Sequence, residues 1–150
     1  MERADHAPAG RFDGIEHRFA LRVYFEDTDL TGVVYHANYL RYLERARSDM
    51  LACAGVDQRA TFEAGIGAYA LTDVHIRYRA PARLNEELII VSRLVRVRAA
   101  AVHIQQRVMR GTTILAEAEV EAAFVSPSGR PVRQPPAWVT AFELLVWPKS

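Results

Sequence analysis

The sequence predicts an α+β domain in which one long helix lies across the concave face of a strongly curved antiparallel sheet. Three observations carry this. A single stretch, residues 39–54, places apolar residues at helical spacing. One segment before it and four after it have the composition or alternation of strands. The links between the later strands are short and hairpin-like, which joins neighbours antiparallel. A helix and such a sheet make a two-layer domain.

The elements follow in order. The opening run MERADHAPAGRFDG is polar, with Pro and Gly, and has no apolar core of a secretory signal. Residues 1–16 are expected to form a flexible N-terminal extension, and 17–150 a single domain. Residues 17–27, HRFALRVYFED, alternate: Phe19, Leu21, Val23 and Phe25 share one face of a predicted strand, opposite Arg18, Arg22 and Tyr24. Tyr39, Tyr42, Leu43, Ala46, Met50 and Cys53 then repeat at helical spacing, widened by Leu40 and Leu51. Arg45 and Asp49 stand at i,i+4 as an expected ion pair, and Gly55 is a natural stop. Residues 56–66 read as a short helix or irregular link. Predicted strands follow at 67–80, 88–98, 101–110 and 114–125, the last with Ala116, Ala118, Val120, Ala122 and Phe124 facing away from Glu117, Glu119 and Glu121. Residues 135–145 suggest a last short helix with Pro in its first turn. Long strands leave edges, and pairing with a second copy would cover them.

Composition excludes several function classes. The chain has 150 residues, half of them apolar and a quarter charged, with a net charge of +1. That balance gives no general attraction to nucleic acid. One cysteine, Cys53, permits no internal disulfide and fits a reducing compartment. No run of about 18 apolar residues is present to span a bilayer. There is no GxGxxG or GxxxxGK[ST] run, so no nucleotide cofactor is expected. His75 and His103 stand alone in strands, and no HxxxH or CxxC spacing occurs, so no metal is expected either. Cys53 reads as an inert core thiol.

The chemistry concentrates in residues 26–40, EDTDLTGVVYHANYL. Asp27 and Asp29 are two apart, and spacing alone does not say which would work. Asp and Thr before Gly32 also suit a turn, the carboxylates binding backbone N–H groups. Gly32 permits a positive φ. Beyond it the helix begins, with unpaired N–H groups and the positive end of its dipole. A carbonyl oxygen there would be polarised as in an oxyanion hole, and a carboxylate just upstream could reach its carbon or a water beside it. Carboxylate and helix start are thus a minimal acyl-transfer constellation. His36 serves either the local backbone or the orientation of substrate or water. Glu44 reads first as a partner of Arg41 or Arg47. Arg96 and Arg98, beside a strand turn, are candidates for binding phosphates.

The stretch VYFEDTDLTGVVYHANYLRYLERAR (23–47) closely resembles the opening motif of the YbgC-type acyl-CoA thioesterases, which belong with the 4-hydroxybenzoyl-CoA thioesterases in the hotdog-fold superfamily. YRAPARLNEEL (78–88) and LAEAEVEAAFVSPSGRP (115–131) resemble that family's later signatures. The resemblance implies a hotdog fold, a curved antiparallel sheet wrapped around a long central helix. It implies a homodimer or homotetramer with active sites at the dimer interface. The family's catalytic carboxylate falls on Asp29, as nucleophile or general base, and its carbonyl-polarising N–H falls at about His36. Gly32, Val34 and Tyr35 match the loop between them, Tyr39 the motif's final tyrosine, and Asp27 a structural acid. With Arg96 and Arg98 for the CoA phosphates, these are the expected substrate contacts. The implied activity is hydrolysis of acyl-CoA without a cofactor. Its alternatives are a dehydratase or hydratase on acyl thioesters, or a non-catalytic partner of acyl-carrier protein or of an envelope complex. The single cysteine and the absence of a secretory signal make a cytoplasmic protein the expectation, or one at the inner-membrane surface, and the family's link to the Tol–Pal system implies the envelope partner.

Overall fold

The computed structural model describes residues 4–148. Its elements are β1 (Arg11–Asp13), β2 (Glu16–Arg22), α1 (Asn38–Cys53), α2 (Gln58–Glu63), β3 (Ala68–Tyr78), β4 (Glu87–Val97), β5 (Ala101–Arg110), β6 (Thr113–Val125) and α3 (Pro136–Glu143). The six strands form one antiparallel sheet in the order β1-β2-β4-β5-β6-β3, with β1 and β3 at its edges.

The helix α1 packs on this sheet for the reason its sequence gives. Tyr39, Tyr42, Leu43, Ala46 and Met50 recur every three or four residues and all are buried. At the N-terminal end of α1 they meet Phe19, Val23, Leu88, Ile90, Val108 and Leu115. At its C-terminal end a second cluster, including Leu94, Ile104 and Phe142, is closed by α3. Along β6, Ala116, Ala118, Val120 and Ala122 face the core while Glu119 is exposed, as the alternation predicts.

Four local expectations are corrected. The strand β2 ends at Arg22, because the N–H and C=O of Val23 bond to Glu86 and Asn85 in the turn before β4. The chain then coils into a 3₁₀ turn, Phe25–Asp27, and Phe25 is 82% exposed rather than packed. Residues 11–13 are not loose chain: they pair with β2, and Phe12 packs edge-on against the His17 ring. Asp49 is bound to buried His17 at 2.7 Å, not to Arg45. Cys53 is exposed, lying where the helical stripe turns out of the core.

A buried polar relay fixes α1 to the middle of the sheet. The Nε2 group of Gln106 on β5 donates to the Leu43 carbonyl and to Ser92 Oγ, each at 3.0 Å. Its Oε1 accepts from Arg47 at 3.0 Å. Gln106 and Ser92 are wholly buried, so the bonds to Leu43 and Ser92 are made where water cannot replace them, while the Arg47 bond is part-buried. Replacing Gln106 with Leu keeps the volume but leaves the buried Ser92 hydroxyl without this partner and removes the acceptor of the part-buried Arg47. Urea unfolding of Gln106→Leu is expected to show a loss of about 2–4 kcal/mol at unchanged m-value.

Candidate functional site

The site is built on the chain between β2 and α1. Asp27 holds its base: one carboxylate oxygen accepts from the Tyr24 N–H at 2.9 Å, the other from the Asn38 side chain at 3.0 Å. One acid therefore ties the end of β2 to the first residue of α1. The buried Tyr42 hydroxyl sits beside it without a well-formed hydrogen bond, and its pKa is pushed up by burial first and by the Asp27 charge after that.

Residues 28–34 form a small hairpin. Thr28 bridges Val34, the Asp29 N–H donates to the Val33 carbonyl at 2.9 Å, and the Gly32 N–H returns to the Asp29 carbonyl at 3.1 Å. Gly32 has φ +80°, the left-handed residue that closes a three-residue hairpin loop. Asp29 opens that turn. Its Oδ1 accepts from the Thr31 N–H at 2.8 Å and from the Thr31 hydroxyl at 2.6 Å. Its Oδ2 has no hydrogen-bond partner among the described residues. The side chain is exposed. The Thr31 hydroxyl and then its N–H hold the carboxyl below the usual carboxylate range, with lesser help from Val33 and His36, against a small opposing effect of desolvation.

Opposite Asp29 the helix begins without a side-chain cap, its Ncap being Ala37. Among the described residues the His36 N–H has no acceptor. The His36 ring lies against Tyr35, 4.6 Å between centroids, and edge-on to Tyr78 at 6.4 Å. The Tyr78 hydroxyl donates to the His36 carbonyl at 2.7 Å, pinning the peptide at the helix start. The end of β3 thus supplies a positioning residue that the sequence reading did not single out. Tyr78 lies 42 residues from His36, and only its place in the YRAPARL signature could have pointed to it.

Asp29, Gly32, Tyr35 and His36 are all exposed, and His36 is near enough to Asp29 to act on its charge. Val34 and Tyr39 stand behind them in the core, 4% and 3% exposed. The Val34 N–H donates to the Ala82 carbonyl, and the Tyr39 hydroxyl accepts from the Ala82 N–H at 3.1 Å. Both brace the loop from beneath. Glu44, on the next turns of α1, lines a different cavity with Arg47, Ser48, Gln58 and Tyr69. Arg96 and Arg98 are not near Asp29 in the same chain. Glu87, at the site end of β4, pairs with Arg22, whereas Arg96 pairs with His103 on β5, roughly 30 Å farther along the strand. Arg83 is nearer: it bridges Val33, is exposed, and has no ion-pair partner among the described residues.

Comparison with known proteins gives a consistent result. The family model described as "Thioesterase-like superfamily" matches residues 23–142. The chain is 38% identical over 107 residues to an acyl-CoA thioesterase YbgC of Haemophilus influenzae, covering 71% of this chain and 79% of that protein. It is 39% identical over 111 residues to an acyl-CoA thioester hydrolase YbgC of Escherichia coli, covering 73% and 82%. A crystal structure of a probable thioesterase from Bartonella henselae superposes with a TM-score of 0.76 at 34% identity, over 80% of this chain and 99% of that one.

The electrostatics of Asp29 can be checked without any substrate. Thr31→Val removes the hydroxyl donor and leaves the N–H. The Asp29 carboxyl, followed by carbon NMR through an acid titration, is expected to titrate at higher pH in Thr31→Val than in the unaltered chain. An unmoved titration would show that the hydroxyl does not carry the shift.

Proposed function

Because the chain belongs to the thioesterase-like superfamily of hotdog proteins, we propose that it hydrolyses acyl-CoA thioesters with Asp29 as the working carboxylate. One observation supports this reading above others: an ionised Asp29 with a free Oδ2 shares one edge with the uncapped start of a buried helix.

The thioester carbonyl oxygen lies toward the His36 N–H, where the helix end favours developing negative charge. The Asp29 Oδ2 attacks the carbonyl carbon, giving a mixed anhydride that water cleaves, or it takes a proton from a water that attacks instead. In both routes CoA leaves as the thiol and the acid is released. His36 presents its N–H and, through its ring, orders Tyr35. Gly32 gives the loop its turn and leaves the space beside Asp29 open, and Val34 and Tyr39 hold the loop on the core.

The exposed side of the site fits a second copy of the chain. The long strand β3 has a free edge, and Leu71 and Tyr78 on it are about half exposed. Pairing there would cover the side of the site that Tyr78 borders. Arg96 and Arg98 would then contribute only from a partner subunit, while Arg83 acts from the same chain. Among the described residues no helix is long and apolar enough to cross a membrane. Action in the cytoplasm or at the inner-membrane surface, and a partner such as acyl-carrier protein or an envelope complex, are compatible with this site but add nothing to its chemistry.

Two variants test the assignment. Asp29→Asn is expected to keep substrate binding and lose on the order of 10²–10⁴-fold in kcat, read as free thiol release from a panel of short, long and aromatic acyl-CoAs. Near-normal turnover would remove Asp29 from the mechanism. Arg83→Glu is expected to raise KM for acyl-CoA several-fold with little change in kcat, and to lose that effect at high salt. If Arg96→Glu with Arg98→Glu raises KM and Arg83→Glu does not, phosphate binding belongs to the far end of β4.

A further inference from the structure

A second cluster of reactive side chains lies at the opposite end of α1 from the thioester site. His17 comes from β2, and Asp49 and Cys53 stand one helical turn apart on α1. The His17 Nε2 is 2.7 Å from Asp49 Oδ2, and the Cys53 Sγ is 3.4 Å from the same oxygen. One donor atom from each of the three lies within 4.8 Å of the others. Gly10 completes the group: its N–H donates to Asp49 Oδ2 at 2.9 Å, and its carbonyl oxygen is 3.5 Å from Cys53 Sγ. Only glycine fits there, since a Cβ on residue 10 would stand 2.5 Å from Asp49 Oδ2 and 3.0 Å from His17 Nε2. His17 is wholly buried, and its Nδ1 has no partner among the described residues.

We propose that His17, Asp49, Cys53 and the Gly10 carbonyl bind one zinc-class divalent cation, which fastens the N-terminal segment to the end of α1. Tetrahedral zinc with nitrogen, oxygen and sulfur ligands sets ligand atoms about 3.3–3.7 Å apart. The Asp49 and Gly10 oxygens already stand at such a spacing from Cys53 Sγ, and the His17 Nε2 is within 4.8 Å of that sulfur. The His17–Asp49 pair has to open by less than about 1 Å to admit the ion at this spacing. A donor set of one imidazole, one thiolate, one carboxylate and one carbonyl suits zinc far better than magnesium or calcium. Spacing rules for metal sites passed over this group because an Asp-x-x-x-Cys pair gains its histidine from a strand 32 residues away.

The proton balance follows from the environment. Burial pushes His17 toward the neutral form, the one a metal needs, against the opposing pull of Asp49. Burial, then the Asp49 contact, keeps the Cys53 thiol protonated without the ion. Binding therefore releases one proton, from Cys53, and moves the imidazole proton from Nε2 to Nδ1. That buried Nδ1–H has no acceptor among the described residues, which makes the site weaker than a zinc centre with a supported histidine.

Chelator-treated, reduced full-length protein is titrated with Co²⁺, which is then displaced by Zn²⁺. The expected result is one equivalent bound, a sulfur-to-cobalt charge-transfer band, one proton released, and a higher Tm with Zn²⁺. Because Cys53 is exposed, Cys53→Ala should fold normally by circular dichroism. It is expected to lose the charge-transfer band and at least about 100-fold in affinity, with Asp49→Asn also weakened. Thioester hydrolysis at the other end of α1 should be unchanged in Cys53→Ala. A folded wild-type chain with no saturable band, or equal affinity and equal Tm gain in Cys53→Ala, overturns the proposal.

Discussion

The site depends on a single buried peptide residue. Ala82 is 0% exposed, and both of its backbone polar groups are committed to the chain that carries the chemistry. Its carbonyl accepts from the Val34 N–H at 2.8 Å and its N–H donates to the Tyr39 hydroxyl at 3.1 Å. The turn before β4 therefore holds the Asp29 hairpin and the first turn of α1 at once. Leaving either group unpaired in that interior would cost about 1–3 kcal/mol, so neither the hairpin nor the helix start can leave this turn without that penalty. Asp27 adds a tie from below and Tyr78 one from the side. The result is a carboxylate and a helix terminus held at fixed places before any substrate arrives. Such donors stabilise developing charge without reorganising during the reaction.

What the sequence shows of this arrangement is its local part. Strand β5 runs from Ala101 to Arg110, and α1 from Asn38 to Cys53, each within a residue or so of what periodicity predicts. Both signals come from neighbours in the chain, where alternation and helical repeat act. The polar residues of 27–36 are legible for the same reason, because turn, hairpin and helix start are all closed by bonds a few residues long. Phe25 shows the limit. It continues the alternation of β2, but the Val23 bonds to residues 85 and 86 draw the chain away first. Asp49 is similar: its helical neighbour Arg45 is in reach, yet buried His17 takes it. Arg96 and Arg98 look suitable as cations, and only the register of β4 with β2 and β5 shows that they point to the far end of the sheet.

The fold also separates its duties along α1. The N-terminal end, where the proposed function puts the substrate, is left uncapped, while the middle is fixed by the Gln106 relay and the C-terminal end is joined through Asp49 to His17 on β2 and to Gly10, just ahead of β1. A helix end left without a cap is less stable by about 0.5–2 kcal/mol than one with a good cap. Here the deficit is local, because the rest of the helix is held by apolar burial and two polar anchors. Strength elsewhere on α1 is what allows its start to go without a side-chain cap, with the His36 N–H just ahead of it lacking an acceptor among the described residues.

Asp29 was open to two readings in the sequence, turn residue or catalyst; the structure shows the first, and its geometry leaves room for the proposed second. An ionised carboxylate has about four lone-pair positions. Two are occupied on Oδ1, by the Thr31 N–H and hydroxyl, and these bonds set the side chain's direction. They also favour the charged form, since both donors bind it more strongly than the neutral acid. The remaining pair on Oδ2 is left for a carbon or a water. A carboxylate free at both oxygens would rotate among rotamers, and one with every lone-pair position filled would have nothing left to react with. Binding at one oxygen lets a residue that builds the hairpin also act beyond it.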